Sequence, residues 1–121
     1  VFESHDLTFE DGKNIAGEII KNKEIDGVFA FTDLLAAGVL KGLLEAEVKI
    51  PEEISVIGFS NWLLTKMTSP TLTTVDQPGY RMGMQAFNLL YEEIMSRKNN
   101  IRIRHRTIEL PTELIIRNST K

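Results

Sequence analysis

Ile50-Pro51-Glu52-Glu53-Ile54-Ser55-Val56-Ile57-Gly58-Phe59-Ser60-Asn61 is the stretch that decides the fold of this chain. Proline holds its predecessor extended and closes whatever helix comes before it. Residues 54–59 then read as a short buried strand that breaks off in small polar residues. A second run, Pro70-Thr71-Leu72-Thr73-Thr74-Val75-Asp76-Gln77-Pro78, has the same character: a β-branched, extended stretch ending in polar side chains. Polar residues at such strand ends stand at the carboxyl edge of a parallel sheet, where open α/β folds place their ligands.

Upstream of these runs, residues 1–4 read as a strand and residues 5–11 carry turn and cap signals. Thr8 with Asp11 three residues later marks a helix start. Ile15, Ala16, Ile19 and Ile20 follow at helical spacing on one face. Residues 25–31 form an apolar run of strand length, stopped by Thr32-Asp33, whose side-chain oxygens can cap the next helix. That helix spans 34–47, and its Ala36, Ala37 and Gly38 permit close packing. The order strand–helix–strand–helix–strand predicts a parallel sheet with right-handed crossovers.

Downstream, Trp62, Leu63, Leu64 and Met67 lie in a short helical stretch, and Pro78 suits the first position of a helix reaching about residue 97. This helix is apolar on two stripes. Gly83, Ala86, Phe87, Leu90 and Ile94 form one, flanked by Tyr80, Met84 and Tyr91, so it should have two neighbours. Residues 101–110 alternate as a half-exposed strand does, and 114–117 read as a last short strand.

Composition limits the function classes. The 121 residues suffice for one domain with a core. Hydrophobic residues at 42% and charged residues at 26% mark a globular chain. Fourteen Lys and Arg against 17 Asp and Glu give a net charge of -3, which argues against a dedicated nucleic-acid surface here. The absence of cysteine excludes thiol catalysis, disulfides and Cys-based metal sites, and suits a reducing cytoplasm. Apolar runs stay well short of the ~18 residues of a membrane span. The chain opens at Val1 without an initiator Met or a signal-peptide pattern, and reads as a piece of something longer.

Three strand tips end in polar residues: Thr32-Asp33, Ser60-Asn61 and Gln77. Each alone reads equally as a helix cap or turn filler. Together on one edge they suit a small polar ligand held by hydrogen bonds. Catalysis has little support. His5 and His105 are far apart, no nucleophile elbow or phosphate-cradling glycine loop is present, and Glu52-Glu53 reads as a solvated loop. No metal or cofactor is expected. Arg102, Arg104 and Arg106 with His105 form one basic cluster, either a solvated strand face or a phosphate contact.

The arrangement of these motifs resembles the effector-binding domain of LacI/GalR-type transcription regulators. The matching pieces are Phe31-Thr32-Asp33-Leu34-Leu35-Ala36-Ala37-Gly38, the run from Pro51 to Asn61, the run from Pro70 to Pro78 and the tail from Leu110 to Thr120. They occur in the family's order and cover essentially the whole chain. The resemblance implies a three-layer αβα, periplasmic-binding-protein-like fold of type I. Residues 1–76 and 112–121 would belong to the C-terminal subdomain, and 77–111 would be the crossover segment of the N-terminal subdomain. It implies that Thr32, Ser60 and Gln77 contact a small-molecule effector, with Asp33 among them ordering the strand-to-helix turn. The family usually has Asn at Thr32 and Asp at Ser60. A serine offers one oxygen where a carboxylate offers two, which makes a phosphorylated or anionic ligand a rival to a simple sugar.

The resemblance further implies a homodimer through Leu34, Ala37, Leu40, Trp62, Leu63 and Met67, for which core packing is the alternative. Operator DNA would be gripped by a head domain outside this chain. A periplasmic solute-binding protein of the ribose-binding type shares fold and cleft and is the competing reading. The Leu-Thr-Thr-Val-Xaa-Gln-Pro run and the Arg-Xaa-Ser-Thr tail favour the regulator.

Overall fold

The computed structural model describes residues 1–3, 6–99, 101 and 106–121. In chain order these form α1 (Phe9–Ile19), β1 (Gly27–Phe29), α2 (Asp33–Glu45), β2 (Ser55–Ser60), a 3-10 turn (Leu63–Lys66), β3 (Thr73–Asp76), α3 (Gly79–Lys98) and β4 (Glu113–Ile115). The strands make one sheet in the order β1-β2-β3-β4. β1, β2 and β3 run parallel, and β4 lies antiparallel against β3. The sheet is the mostly parallel, open kind that the strand and helix order predicts.

Local chemistry accounts for the helix boundaries. The Thr8 hydroxyl accepts from the Asp11 N–H at 3.1 Å, and the Asp11 carboxylate accepts from the Thr8 N–H at 3.0 Å, a reciprocal capping box. Thr32 caps α2 by accepting from the Leu35 N–H at 3.2 Å. α2 ends where Glu47 turns left-handed, with φ 61°, so that the Val48 N–H reaches back to the Leu43 carbonyl at 3.0 Å.

Ala16 and Ile19 of α1, Leu35, Ala36, Val39, Leu40 and Leu43 of α2, and Val56 and Leu72 beside them form the core. Each large aliphatic side chain buried here contributes about 1.5–3 kcal/mol. The two helices approach until backbone meets backbone. A Cβ placed on Gly38 would collide with the Phe9 carbonyl, and one on Gly12 with the Leu35 carbonyl. At the rim Lys13 Nζ pairs with Glu45 Oε2 at 2.8 Å, and this contact holds the Glu45 carboxyl below its ordinary range.

Two strand expectations are corrected. Val1, Phe2 and Glu3 are described but belong to no strand, residue 4 lying outside the described residues. They flank β1 across an apolar groove instead of pairing with it. Ile101 and residues 106–110 are likewise non-strand. Arg102, Arg104 and His105 of the basic cluster, and His5, lie outside the described residues. Arg106 is described and binds Glu92 of α3 at 2.6 Å, an exposed ion pair.

The chain divides into two compact units, Val1–Asp76 with Glu113–Lys121, and Gln77–Thr112. The first holds the whole sheet and core. The second is built on α3, which has no buried residue; Tyr80, Phe87, Leu90, Tyr91 and Ile94 are all exposed. Both apolar stripes expected on this helix are thus open.

Gly38→Ala forces α1 away from α2 and should cost about 1–3 kcal/mol. Urea unfolding monitored by circular dichroism measures it, and an unchanged midpoint would mean that the helices slide apart freely.

Candidate functional site

Because β1, β2 and β3 run parallel, Thr32, Ser60 and Asp76 emerge at one edge of the sheet, with Ser60 and Asp76 paired in register. A hollow of about 340 Å³ opens there, lined by Leu7, Thr32, Asp33, Leu34, Ser60 and Trp62. The structure therefore brings Thr32, Asp33 and Ser60 together, as the strand tips predict, and adds Trp62 to them. Gln77 follows β3 directly and is half-buried, but it is the first residue of the second unit and does not line this hollow. A larger hollow, about 720 Å³, runs along β1 between Val28, Phe29 and Val1. Its walls are mostly aliphatic and aromatic; the smaller hollow also has apolar walls in Leu7, Leu34 and Trp62, but it is the one that includes the strand-tip residues Thr32, Asp33 and Ser60.

Asp33 organises this edge. It is 1% exposed, and both carboxylate oxygens accept within the chain. Oδ1 accepts from Thr74 Oγ1 at 2.5 Å, and Oδ2 accepts from the Trp62 N–H at 2.7 Å. One side chain at the start of α2 thereby fixes the loop after β2 and the middle of β3. Its path explains Gly58: a Cβ there would collide with Asp33 Oδ1. The glycine in the Val-Ile-Gly-Phe strand leaves room for the aspartate crossing it. Asp33 therefore shapes the hollow, whose lining also includes the exposed Ser60 and the half-buried Thr32, the hydroxyl of which caps α2.

The turn after β2 is unusual. Ser60 has φ 120° and Asn61 φ 54°, consecutive non-glycine residues on the left-handed side. Such conformations persist only where neighbours over-determine them. Here the Asn61 N–H donates to Thr74 Oγ1 at 3.2 Å and its Nδ2 to Asp76 Oδ1 at 2.8 Å. The tail completes the edge of the sheet. Ser119, fully buried, donates from its hydroxyl to the Val56 carbonyl at 2.6 Å and accepts from the Thr73 N–H at 2.8 Å. It bridges β2 and β3 where they diverge. Arg117 reaches back beneath the site turn. Sequence reading finds the Arg-Xaa-Ser-Thr motif but not these roles, because the partners lie 44 to 63 residues away in the chain.

Of the residues expected at a dimer interface, Leu34, Trp62, Leu63 and Met67 are exposed. Ala37 and Leu40 are not: at 6% and 3% exposure they are buried within the protomer, and Leu40 belongs to its core cluster. Leu40 is held there by the core cluster, and as buried residues these two offer a partner little surface. Among the described residues no group of His, Cys, Asp and Glu is placed to hold a metal ion, and no helix is long and apolar enough to cross a membrane.

Residues 3–120 match the periplasmic binding protein-like domain family. The chain belongs to that family. Within it, the sequence fits the effector-binding domain of LacI/GalR-type regulators. It is 38% identical over 115 residues to the NTD biosynthesis operon regulator NtdR of Bacillus subtilis (strain 168), covering 94% of this chain and 34% of that one. It is 37% identical over 113 residues to the HTH-type transcriptional repressor PurR of Histophilus somni (strain 2336), covering 93% and 33%. The chain thus spans about a third of the length of these curated relatives. Among solved structures, it superposes on a LacI family transcriptional regulator from Enterococcus faecalis V583 with bound ribose. That match has a TM-score of 0.80 at 36% identity, covering 95% of this chain and 41% of that one. The transcription regulator CcpA of Lactococcus lactis gives a TM-score of 0.81 at 28% identity, covering 98% and 45%.

Asp33→Asn swaps one acceptor oxygen for a donor and leaves the Thr74 hydroxyl without its buried acceptor. A loss of about 1–3 kcal/mol in unfolding free energy is expected, read by urea titration. A variant as stable as the parent would show that Asp33 does not hold this edge together.

Proposed function

We propose that this chain is the ligand-sensing and dimerisation part of a LacI-type, DNA-binding transcription regulator, and not an enzyme. The hollow at the carboxyl edge of the parallel strands carries the reading: Thr32 and Ser60 meet there beside an exposed indole, on a framework fixed by a buried carboxylate. Hydroxyls beside an aromatic face suit a sugar, a sugar phosphate or a related small polar effector, whose hydroxyls take the hydrogen bonds and whose C–H face packs on the ring. The Enterococcus faecalis neighbour with bound ribose supports that ligand class. The regulators among the relatives favour this reading over an exported solute-binding protein.

In this reading Val1–Asp76 with the tail is the C-terminal subdomain, and residues 77–111 are the crossover segment of the other subdomain. Gln77, the first residue of that segment, supplies a further effector contact. The exposed face of α3 is then covered by the rest of the N-terminal subdomain. Effector binding between subdomains alters their closure, which changes the spacing of two DNA-binding heads in a dimer and shifts operator affinity by the coupling free energy. The regulator works in the cytoplasm, where its operator is.

Trp62 lines the hollow and is the single tryptophan of these 121 residues, so its fluorescence follows both ligand binding and dimerisation at this edge. Titrating the full chain with D-ribose and with ribose 5-phosphate should give a saturable change whose midpoint agrees with calorimetry. Ser60→Asp adds a negative charge at the site, and should weaken the phosphate ligand by about tenfold, equivalent to ~1.4 kcal/mol. Unchanged or tighter phosphate binding by the variant would count against an anionic effector, and no saturable binding of either compound would count against the sugar class.

Leu34, Trp62, Leu63 and Met67 form the apolar side of the proposed dimer contact, the kind of residues enriched at interface cores. The double variant Trp62→Ala, Met67→Ala should convert the dimer to a monomer in light scattering. A dimer that survives both changes removes this surface from the contact.

A further inference from the structure

We infer that Arg117, in the tail, is a positioning residue for the candidate effector site: it clamps the left-handed Ser60-Asn61 turn from beneath and so sets where the Ser60 hydroxyl stands. The inference rests on the effector reading for its functional consequence, and on geometry alone for the clamp. Backbone placement comes first. The Arg117 N–H donates to Thr73 Oγ1 at 2.9 Å, which anchors the residue beside β3. Its guanidinium then spreads over three acceptors. Nη2 donates to Asn61 Oδ1 at 2.7 Å, and Nη1 donates to the Leu72 carbonyl at 2.7 Å and to Thr65 Oγ1 at 3.0 Å.

These bonds hold the turn at both flanks. On one side, Arg117 offers only donors and Asp76 only acceptors, so the Asn61 amide has a single orientation that satisfies both: oxygen to Arg117, nitrogen to Asp76 at 2.8 Å. On the other side, the Thr65 hydroxyl that accepts from Arg117 donates to the Trp62 carbonyl at 2.7 Å. Asn61 and Trp62 are thus tied to one guanidinium, directly and through Thr65. Two successive non-glycine residues at φ 120° and 54° need such support, since an unsupported chain relaxes towards negative φ. A lysine cannot replace the clamp, because a single ammonium lacks the planar fork that reaches Asn61 and Thr65 together.

Arg117→Lys and Asn61→Gly, made singly and together in the full chain, test this by amide hydrogen exchange and by D-ribose titration. Arg117→Lys should speed exchange at Asn61 and Trp62 by about tenfold or more while amides of α1 and α2 hold, and should weaken D-ribose by about tenfold. Glycine at 61 relaxes the backbone demand and removes the Asn61 link. In that background Arg117→Lys should therefore change exchange at residue 61 and D-ribose affinity by less than about threefold, while Trp62, still tied through Thr65, keeps its response. An equal cost at residue 61 in both backgrounds, or exchange that rises uniformly across the sheet, overturns the clamp. If Arg117→Lys does not fold, Asn61→Ala cuts the turn's side-chain bonds to Arg117 and Asp76 while leaving the Thr65 link, and unchanged exchange at the residue 61 amide overturns the proposal. If wild-type protein binds no D-ribose, the effector reading fails for that ligand, while the exchange comparison still decides the role of Arg117.

Discussion

The buried carboxylate of Asp33 is the constraint on which the ligand edge depends. It sits at the first turn of α2, where the free amide end of the helix favours negative charge, and accepts from Thr74 of β3 and from the backbone after β2. The core would hold the strands side by side without it, but their polar ends would have no common reference. Gly58 is small so that this side chain can pass, and Thr74 is a threonine because a hydroxyl can accept from Asn61 while donating to Asp33. Gly58, Trp62 and Thr74 thus all answer to one acidic group.

Much of this was legible in the chain. The capping signals at Thr8 and Thr32 are local, and each appears where the spacing of Ser/Thr and acidic residues puts it. The buried strands Ser55–Ser60 and Thr73–Asp76 follow from β-branched, apolar runs bounded by proline and polar residues. Parallel pairing then brings Thr32 and Ser60 to one edge without further information. Ala37 and Leu40 show the limit of such reading. A helix rich in small and aliphatic residues does not declare which side meets its own core and which a neighbour, and these two turn inward.

What the sequence hid is long-range. Residues 1–3 look like a strand by composition, yet a strand needs an edge within reach, and an apolar groove separates them from β1. The alternation in residues 101–110 promises a strand for the same compositional reason, and the described part of it pairs with no neighbour in the sheet. Arg117 and Ser119 are visible as a motif, but their partners are chosen by topology. Only when the tail returns antiparallel along β3 does the guanidinium meet Asn61.

The return of that tail has a consequence for how the protein is made. Ser119 closes the gap between β2 and β3 by bonds that span 63 and 46 residues, and Arg117 meets Asn61 across 56. Contacts this distant form late, because the loop-closure entropy must be met before they contribute. On a translating ribosome, α1, β1, α2 and β2 emerge and can pack long before residues 117–119 leave the exit tunnel. The helices and early strands can therefore assemble around an edge that stays unlatched until residues 117–119 are available.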